Sequence, residues 1–379
     1  MIQTGHLETY DIILSVQTPV HIGSGITVNK QEYIYDPRSK TVRIIDIDQF
    51  LQMLAEKELA AEYENFIIRN TYSGGLKEFL ESNSFTQSEI DKLVLYTCSV
   101  KGIFAEKDYS GASNGRVQKA PKNNIAQFIR MKNGRPYIPG SSVKGAIRTC
   151  LFITLCKQET NLGDFLTIKR NDRDHIDTFI TAKGDREANV AVFNTLQLSK
   201  KTEDAVNSIM KTISVSDSEP IGNTCMTICN KIDFLPDGSI SHPNVLRECV
   251  EPGTKIQLKL TIDRSLNGLT SDDIINAVSS FFRFYQSEYP SCFRLPANVF
   301  QPSGTDNLIL GGGSGFFSKT VVYNLYEHDT AMEYVADWME DKFPNGKHQY
   351  EYDFAPHTMK YTMYKGSYMP FGVCKFEVK

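Results

Sequence analysis

The sequence has 379 residues, and its 41 basic and 45 acidic side chains leave a net charge of −4. That length supports two or three sizeable cores. A 41% hydrophobic, 23% charged composition without a bilayer-length apolar run excludes disordered, collagen-like and helical membrane classes.

Met1–His6 has neither a basic region nor an apolar core, so no signal peptide is expected. Eight scattered cysteines without a Cys-x-x-Cys pair predict reduced thiols, no disulfide framework, no zinc site and a cytoplasmic location. Thr9–Gln17 alternates as a strand and runs into Thr18-Pro19-Val20-His21-Ile22-Gly23-Ser24-Gly25, which reads as a flexible glycine turn. Glu32–Tyr35 and Val42–Asp46 are short strands around the turn Asp36-Pro37-Arg38. Asp46 or Asp48 can cap a helix that buries Phe50, Leu51, Leu54 and Leu59. Residues from about 47 to 95 are mostly helical, and Thr86-Gln87-Ser88-Glu89 is a capping box. Leu93–Val100 returns as a strand, Ser110–Gly115 is a small polar loop, and Asn124–Met131 is read as a short helix.

The next stretch, Tyr137-Ile138-Pro139-Gly140-Ser141-Ser142-Val143-Lys144-Gly145-Ala146-Ile147-Arg148, reads as strand end, tight turn and helix start. Ser141 or Ser142 is the expected N-cap, and Val143, Ile147, Cys150, Leu151 and Thr154 recur at core-facing helical spacing. Lys144 and Arg148, four apart, share a helix face. Two cations beside unpaired N–H groups oppose the helix dipole unless an anion sits there, as in a phosphate cradle. From Tyr109 to Gln158 there are nine basic residues and no acidic one, leaving 32 basic against 45 acidic elsewhere. A polyanion is the natural partner of such a stretch; the alternative is a capped surface helix with solvated cations.

Further on, Lys169–His175 is a charged connection. Asp172, Asp174, His175 and Asp177 could surround a metal there, although a solvated loop is the preferred reading. Around Asn194–Met210 the chain is expected to pass into a second unit. That unit has strands at Ile213–Asp217 and Cys225–Phe234 and a turn at Pro236-Asp237-Gly238. Leu246–Val250 and Lys255–Ile262 flank Glu251–Thr254 as a hairpin. Ser271-Asp272-Asp273 caps a helix burying Ile274, Ile275, Val278, Phe281, Phe282 and Tyr285. A strand at Leu308–Leu310, a glycine run, a helix over about 329–342 and a strand at Phe371–Val378 complete the chain. The pattern predicts an α+β fold of two ferredoxin-like (RRM-like) domains, residues 1–200 and 201–379, with the helical insertion in the first. Such sheets leave one face or one loop edge open to nucleic acid.

The run Gly311-Gly312-Gly313-Ser314-Gly315 allows close backbone approach, and Ser318 and Lys319 add polar contacts. It fits neither a P-loop nor a dinucleotide fingerprint, so ATP and NAD are unsupported and no cofactor or metal is expected. A simple flexible turn is the alternative. His21, in its glycine-rich segment, could serve as the general acid or base of metal-free RNA cleavage. No second group is placed beside it, and a packing or hydrogen-bonding role is preferred.

Ile138–Arg148 resembles the IPGSSLKGALR-type signature of the RAMP superfamily of CRISPR-associated proteins. Thr18–Gly25 resembles that family's opening TPVHIGSG segment, Gly311–Lys319 its glycine-rich loop, and Arg247–Leu260 its second-domain hairpin. The length, the helical insert and Met369-Pro370-Phe371-Gly372 look most like the fifth Csm subunit of type III-A (Csm) effectors. The resemblance covers essentially the whole chain. It implies RRM-like domains and a non-catalytic subunit that binds crRNA, caps the 3′-side end of the guide filament and supports crRNA 3′-end maturation. Implied partners are crRNA, the repeated backbone RAMP subunit, the small helical subunit and host nucleases that trim the crRNA, with no membrane. Lys144 and Arg148 are then expected on phosphates, with Ser141 and Ser142 donating. Gly311, Gly312, Gly313, Gly315, Ser318 and Lys319 would lie along the RNA, with Gln118, Lys119, Lys122 and Arg130 extending the track. The target-cutting backbone subunits use an acidic loop residue that has no placed equivalent here. The competing reading is a metal-independent RAMP endoribonuclease using His21.

Overall fold

The computed structural model describes residues 5–69, 75–104, 124–158, 169–170, 176–177, 182–266, 268–343 and 354–379. In chain order its elements begin with β1 (Leu7–Val16), β2 (Gly23–Val28), β3 (Tyr33–Asp36) and β4 (Thr41–Ile45). Helices α1 (Ile47–Glu56), α2 (Ala60–Arg69), α3 (Leu76–Ser82) and α4 (Gln87–Lys92) follow, then β5 (Val94–Ser99), β6 (Ile125–Phe128) and α5 (Gly140–Gln158). After the short pair β7 (Lys169–Arg170) and β8 (Ile176–Asp177) come α6 (Ala182–Phe193) and β9 (Ile213–Val215). Five strands follow: β10 (Met226–Asn230), β11 (Ile232–Phe234), β12 (Ile240–Ser241), β13 (Leu246–Val250) and β14 (Lys255–Asp263). The chain ends with α7 (Ser271–Glu288), β15 (Asn307–Ile309), α8 (Val322–Leu325), α9 (His328–Lys342), β16 (Met359–Tyr364), β17 (Ser367–Pro370) and β18 (Val373–Val378).

This is a mixed α+β fold, but its sheets do not divide near residue 200. One sheet has the order β15-β18-β1-β14-β9, so the first strand lies between strands from the last third of the chain. All its pairings are antiparallel. The path β1-α5-β9-β14-α7-β18 is βαββαβ with β15 added at one edge, and long insertions separate its parts. α5 and α7 pack on each other, α5 against β9 and α7 against β15 and β18. Alternation sets the faces: Ile12, Leu14, Ile256, Leu258, Leu260 and Ile262 are buried. Each such side chain contributes on the order of 2 kcal/mol by leaving water.

The second large sheet, β2-β6-β13-β10-β5-β4-β3, joins five strands from the first part of the chain to β10 and β13 from its middle. β4 and β5 are antiparallel neighbours with Ile45 opposite Val94, so α1–α4 are an insertion between paired strands. That insertion buries its own cluster, centred on Phe50, Tyr63, Phe66 and Phe79. Asp46 caps α1 by accepting from the Gln49 N–H, and the Thr86/Glu89 capping box opens α4. Leu51, expected inside, is 48% exposed and points away from that cluster.

Several expectations are corrected. The segment Thr18–Gly25 is not a flexible turn: Thr18, Val20, His21 and Ile22 are buried, and β2 begins at Gly23. Asn124–Met131 holds strand β6, because β2 and β13 pair with it on either side and override its local preference. Cys225–Phe234 breaks into β10 and β11, which belong to different sheets. The expected Leu246–Ile262 hairpin does not form; β13 and β14 also lie in different sheets, and Glu251–Thr254 turns the corner between them. There Val16 donates to the Thr254 carbonyl at 2.9 Å, and Glu251 accepts from Ser99 and Tyr364 and pairs with Lys101. Alternation identifies a strand but not its partner. The cap of α7 is Thr270, one residue earlier than expected, in a capping box with Asp273. The cysteines are free, and six of the eight are buried.

Candidate nucleic-acid interface

The residues after β6 lead the chain under the end of β9. Ile138 N–H donates to Ser218 Oγ at 2.9 Å and Gly140 N–H to Asp217 Oδ1 at 2.8 Å. The Pro139 carbonyl accepts from Ser142 and Val143, which places the start of α5 at Gly140. The anionic group at this helix start is therefore Asp217, remote in sequence, and neither Ser141 nor Ser142 is the cap. Gly140 is required sterically, since a Cβ would lie 2.1 Å from the Val215 carbonyl oxygen. Ser141 is exposed and Ser142 half-buried, within one turn of Lys144 and about two turns before Arg148.

Both cations are anchored. Lys144 Nζ donates to the Ile213 carbonyl at 2.7 Å, and partial burial lowers its pKa. Arg148 donates to Asn189 Oδ1 at 2.6 Å and sits 5.0 Å from the Phe193 ring centroid. Gly145, between them, faces open space: a Cβ there would meet nothing within 4 Å.

The glycine run is docked onto the β1–β2 connection. Gly312 N–H donates to the His21 carbonyl at 2.7 Å. Gly311, at φ 84°, leaves 2.1 Å between that oxygen and any added Cβ, so only glycine fits. Gly313 and Gly315 also hold positive φ. Ser318 is buried, and its hydroxyl lies within hydrogen-bond reach of both Ser314 Oγ (2.7 Å) and the Gly315 carbonyl (2.9 Å), lacing the loop internally. Its expected role as an outward contact is corrected on that ground. Lys319 is exposed along part of its length, and desolvation of its ammonium lowers its pKa.

Helix and loop meet along a groove. A cavity of about 280 Å³ is lined by Ser142, Gly145, Thr149, Gly311, Ser318 and Lys319. A second, of about 350 Å³, shares Thr149 and Lys319 and adds Arg148, Asn189, Phe316 and Trp338. The two stretches singled out in the sequence thus form one site, with Arg148 and Lys319 as its cations. The outward face of the five-stranded sheet offers no rival stacking platform. Thr9, Asp11, Ile13 and Ser15 of β1 lie there opposite Thr261, Lys259, Gln257 and Lys255 of β14, without an aromatic ring.

Arg130 does not belong to this groove. Its guanidinium pairs with Glu248 at 3.3 Å, stacks 3.6 Å from the Tyr96 ring centroid and donates to Gly134 O and Asn223 Oδ1. With side chains 8% and 0% exposed, Arg130 and Glu248 form an interior pair, which corrects the expected place of Arg130 on an outer track. Gln118, Lys119 and Lys122 lie outside the described residues, as do Asp172, Asp174 and His175. Among the described residues no cluster of histidine, cysteine, aspartate or glutamate could hold a metal, and no helix is long and apolar enough to cross a membrane.

His21 is 5% exposed. Its Nδ1 lies 2.7 Å from the Glu248 carbonyl, and its pKa is lowered to about 4, chiefly by burial, with the Arg247 charge adding to the effect. The site residues missed in the sequence are Asn189, Phe316 and Trp338. Trp338 is the chain's single tryptophan, which was the one signal available; Asn189 carried none, because its role depends on where α6 packs.

The model of the RAMP superfamily matches residues 13–288. A Streptococcus thermophilus protein named CRISPR system Cms protein Csm5 is 29% identical over 323 residues, covering 83% of this chain and 80% of that protein. The Enterococcus italicus protein of the same name is 26% identical over 356 residues, covering 89% and 87%. Among solved structures, a chain in the cryo-EM structure of a Csm–crRNA–target RNA ternary complex of a type III-A CRISPR-Cas system aligns with TM-score 0.62 at 20% identity, covering 97% of this chain and all of that one. The crystal structure of T. onnurineus Csm5 aligns with TM-score 0.62 at 19% identity, covering 96% and 99%. The two structural matches share the fold, and the family match runs from the first strand through α7, including the whole PGSSVKGAIR segment: the chain belongs to the RAMP superfamily.

Proposed function

We propose that this chain is a non-catalytic crRNA-binding subunit of a type III-A CRISPR ribonucleoprotein. It caps the 3′-side end of the guide filament and supports crRNA 3′-end maturation in the cytoplasm. The observation that carries the reading is the groove where Arg148 and Lys319 converge beside Gly145 and Gly311. A glycine inside a helix costs about 1 kcal/mol relative to alanine. Nothing in the fold crowds Gly145, so the bare position is useful to a ligand that must approach the helix closely. A sugar–phosphate backbone is such a ligand, read by charge and shape with little base specificity. The relatives named Csm5, and the structural match within a Csm–crRNA–target RNA complex, support the choice of RNA and of the assembly. The remaining partners are the repeated backbone RAMP subunit, the small helical subunit and the host nucleases that trim the guide. The five-stranded sheet is read as one ferredoxin-like unit, with the second RRM-like unit built into the seven-stranded sheet. In this reading neither corresponds to a consecutive half of the chain.

His21 supports the non-catalytic reading over the endoribonuclease. A buried imidazole with a pKa near 4 and Nδ1 held by a main-chain carbonyl is poorly placed to reach a 2′-hydroxyl. The deciding test is guide-RNA occupancy and length in complexes carrying Arg148→Glu/Lys319→Glu, with exposed Lys132→Glu as control. Loss of the subunit or untrimmed guides is expected for the double variant alone. Normal guides with normal assembly would remove the groove from RNA binding. Cleavage of repeat RNA in EDTA that disappears in His21→Ala would instead establish the nuclease.

A further inference from the structure

The larger cavity beside α5 contains more than a phosphate backbone requires. Two cations, Arg148 and Lys319, share about 350 Å³ with Phe152, Phe316 and Trp338. Phosphates need only the cations, whereas a nucleotide uses both, stacking its base on aromatic rings and placing its phosphate on the charges. The volume lies within the range of pockets that hold small organic ligands. The guanidinium is preorganised, because Asn189 and Phe193 fix Arg148 before any ligand arrives. Charge gives the cavity a polarity. Trp338 comes from α9, which carries Asp329, Glu333, Asp337, Glu340 and Asp341. The cavity's cations, Arg148 and Lys319, come from α5 and the glycine loop, so phosphate is drawn to that side.

Resting on the RNA-binding reading above, we propose that this cavity takes in one nucleotide swung out of a single RNA strand, its base against Phe316 and Trp338 and its phosphate on Arg148 and Lys319. The adjoining cavity, lined by Gly145 and Gly311, carries the backbone of the same strand past α5. Stacking accepts any base, so the pocket registers the position of a nucleotide in the strand and not its identity.

Trp338 is the only tryptophan, so its emission reports this cavity alone. The full chain is titrated with a short labelled oligouridylate, following label anisotropy and tryptophan emission together. Quenching of Trp338 with the same midpoint as the anisotropy is expected. An abasic ribose-phosphate oligomer of equal length should bind about tenfold more weakly, without quenching. Phe316→Ala should weaken the base-bearing oligomer about tenfold and leave the abasic one unchanged. Trp338→Leu, followed by anisotropy, gives the same comparison from the other ring. Rising anisotropy with constant emission overturns the pocket and leaves the backbone groove standing; no change in either signal overturns both.

Discussion

Arg130 and Arg148 come from one basic stretch, and the structure gives them opposite roles. Arg130 is spent on Glu248, whose carboxylate also accepts from Tyr96 Oη at 2.6 Å and the Phe128 N–H at 3.0 Å. Removing the guanidinium strands a buried carboxylate, so Arg130→Ala should cost about 3 kcal/mol in urea denaturation, whereas Arg148→Ala should cost under about 1 kcal/mol. Equal losses would mean that the interior pair is not maintained. At His21 the sign is set by burial. The folded imidazole protonates near pH 4 and the unfolded one near 6.5, so between these values only the unfolded chain binds the proton. Stability contributed by neutral His21 is therefore full above about pH 6.5 and falls as pH drops toward 4. Between pH 7 and 5 the loss should be about 2 kcal/mol, and His21→Asn should flatten that part of the profile. Parallel profiles for the two proteins would place His21 in water. The sequence marked His21 and both arginines by type alone, and type does not report burial.

At the scale of elements, what was local was legible. The Thr86/Glu89 capping box, the Asp46 cap and the core face of α5 follow from residues three or four apart. The start of α5 was legible as a turn, but its cap was not, because Asp217 arrives from 77 positions further along the chain. The glycine loop was legible as a place of close approach, but what approaches Gly311 is the His21 carbonyl. The insertion α1–α4 is nearly self-contained, and Ile45 and Val94 at its base are already opposite each other in a ladder. Replacing residues 46–93 with a two-residue Asn-Gly turn should therefore leave a cooperatively folding protein, checked by a single thermal transition and retained near-UV dichroism. Aggregation or loss of the transition would show that the insertion's core supports β3–β5. Such a variant also tests the groove, which lies on other elements and should bind RNA unchanged.

At the scale of the whole molecule, the small net charge conceals a site with two groove-lining cations, Arg148 and Lys319, close to Lys144. Single-stranded RNA binding should fall with salt at a log–log slope of about −1.4, one increment of about 0.7 for each of Arg148 and Lys319. Arg148→Ala/Lys319→Ala should bring the slope close to zero, measured by anisotropy across a salt series; an unchanged slope would move the phosphate contacts elsewhere on the surface. By itself the sequence determined the α+β class, the helices α1, α4, α5 and α7, most of the strands and the two stretches that form the groove, since each is written in periodicity, turn residues or local motif; β6, read as a helix, was not among them. Only the tertiary structure decided how these are joined. It placed β1 between β14 and β18, assigned β13 and β14 to different sheets and brought α5 against the glycine loop. The physical reason is that an alternating strand specifies which of its faces is buried but leaves its edges free to hydrogen-bond with any strand of matching register. Partner choice is then settled by closing a common core over the whole chain, and no window of the sequence contains that information.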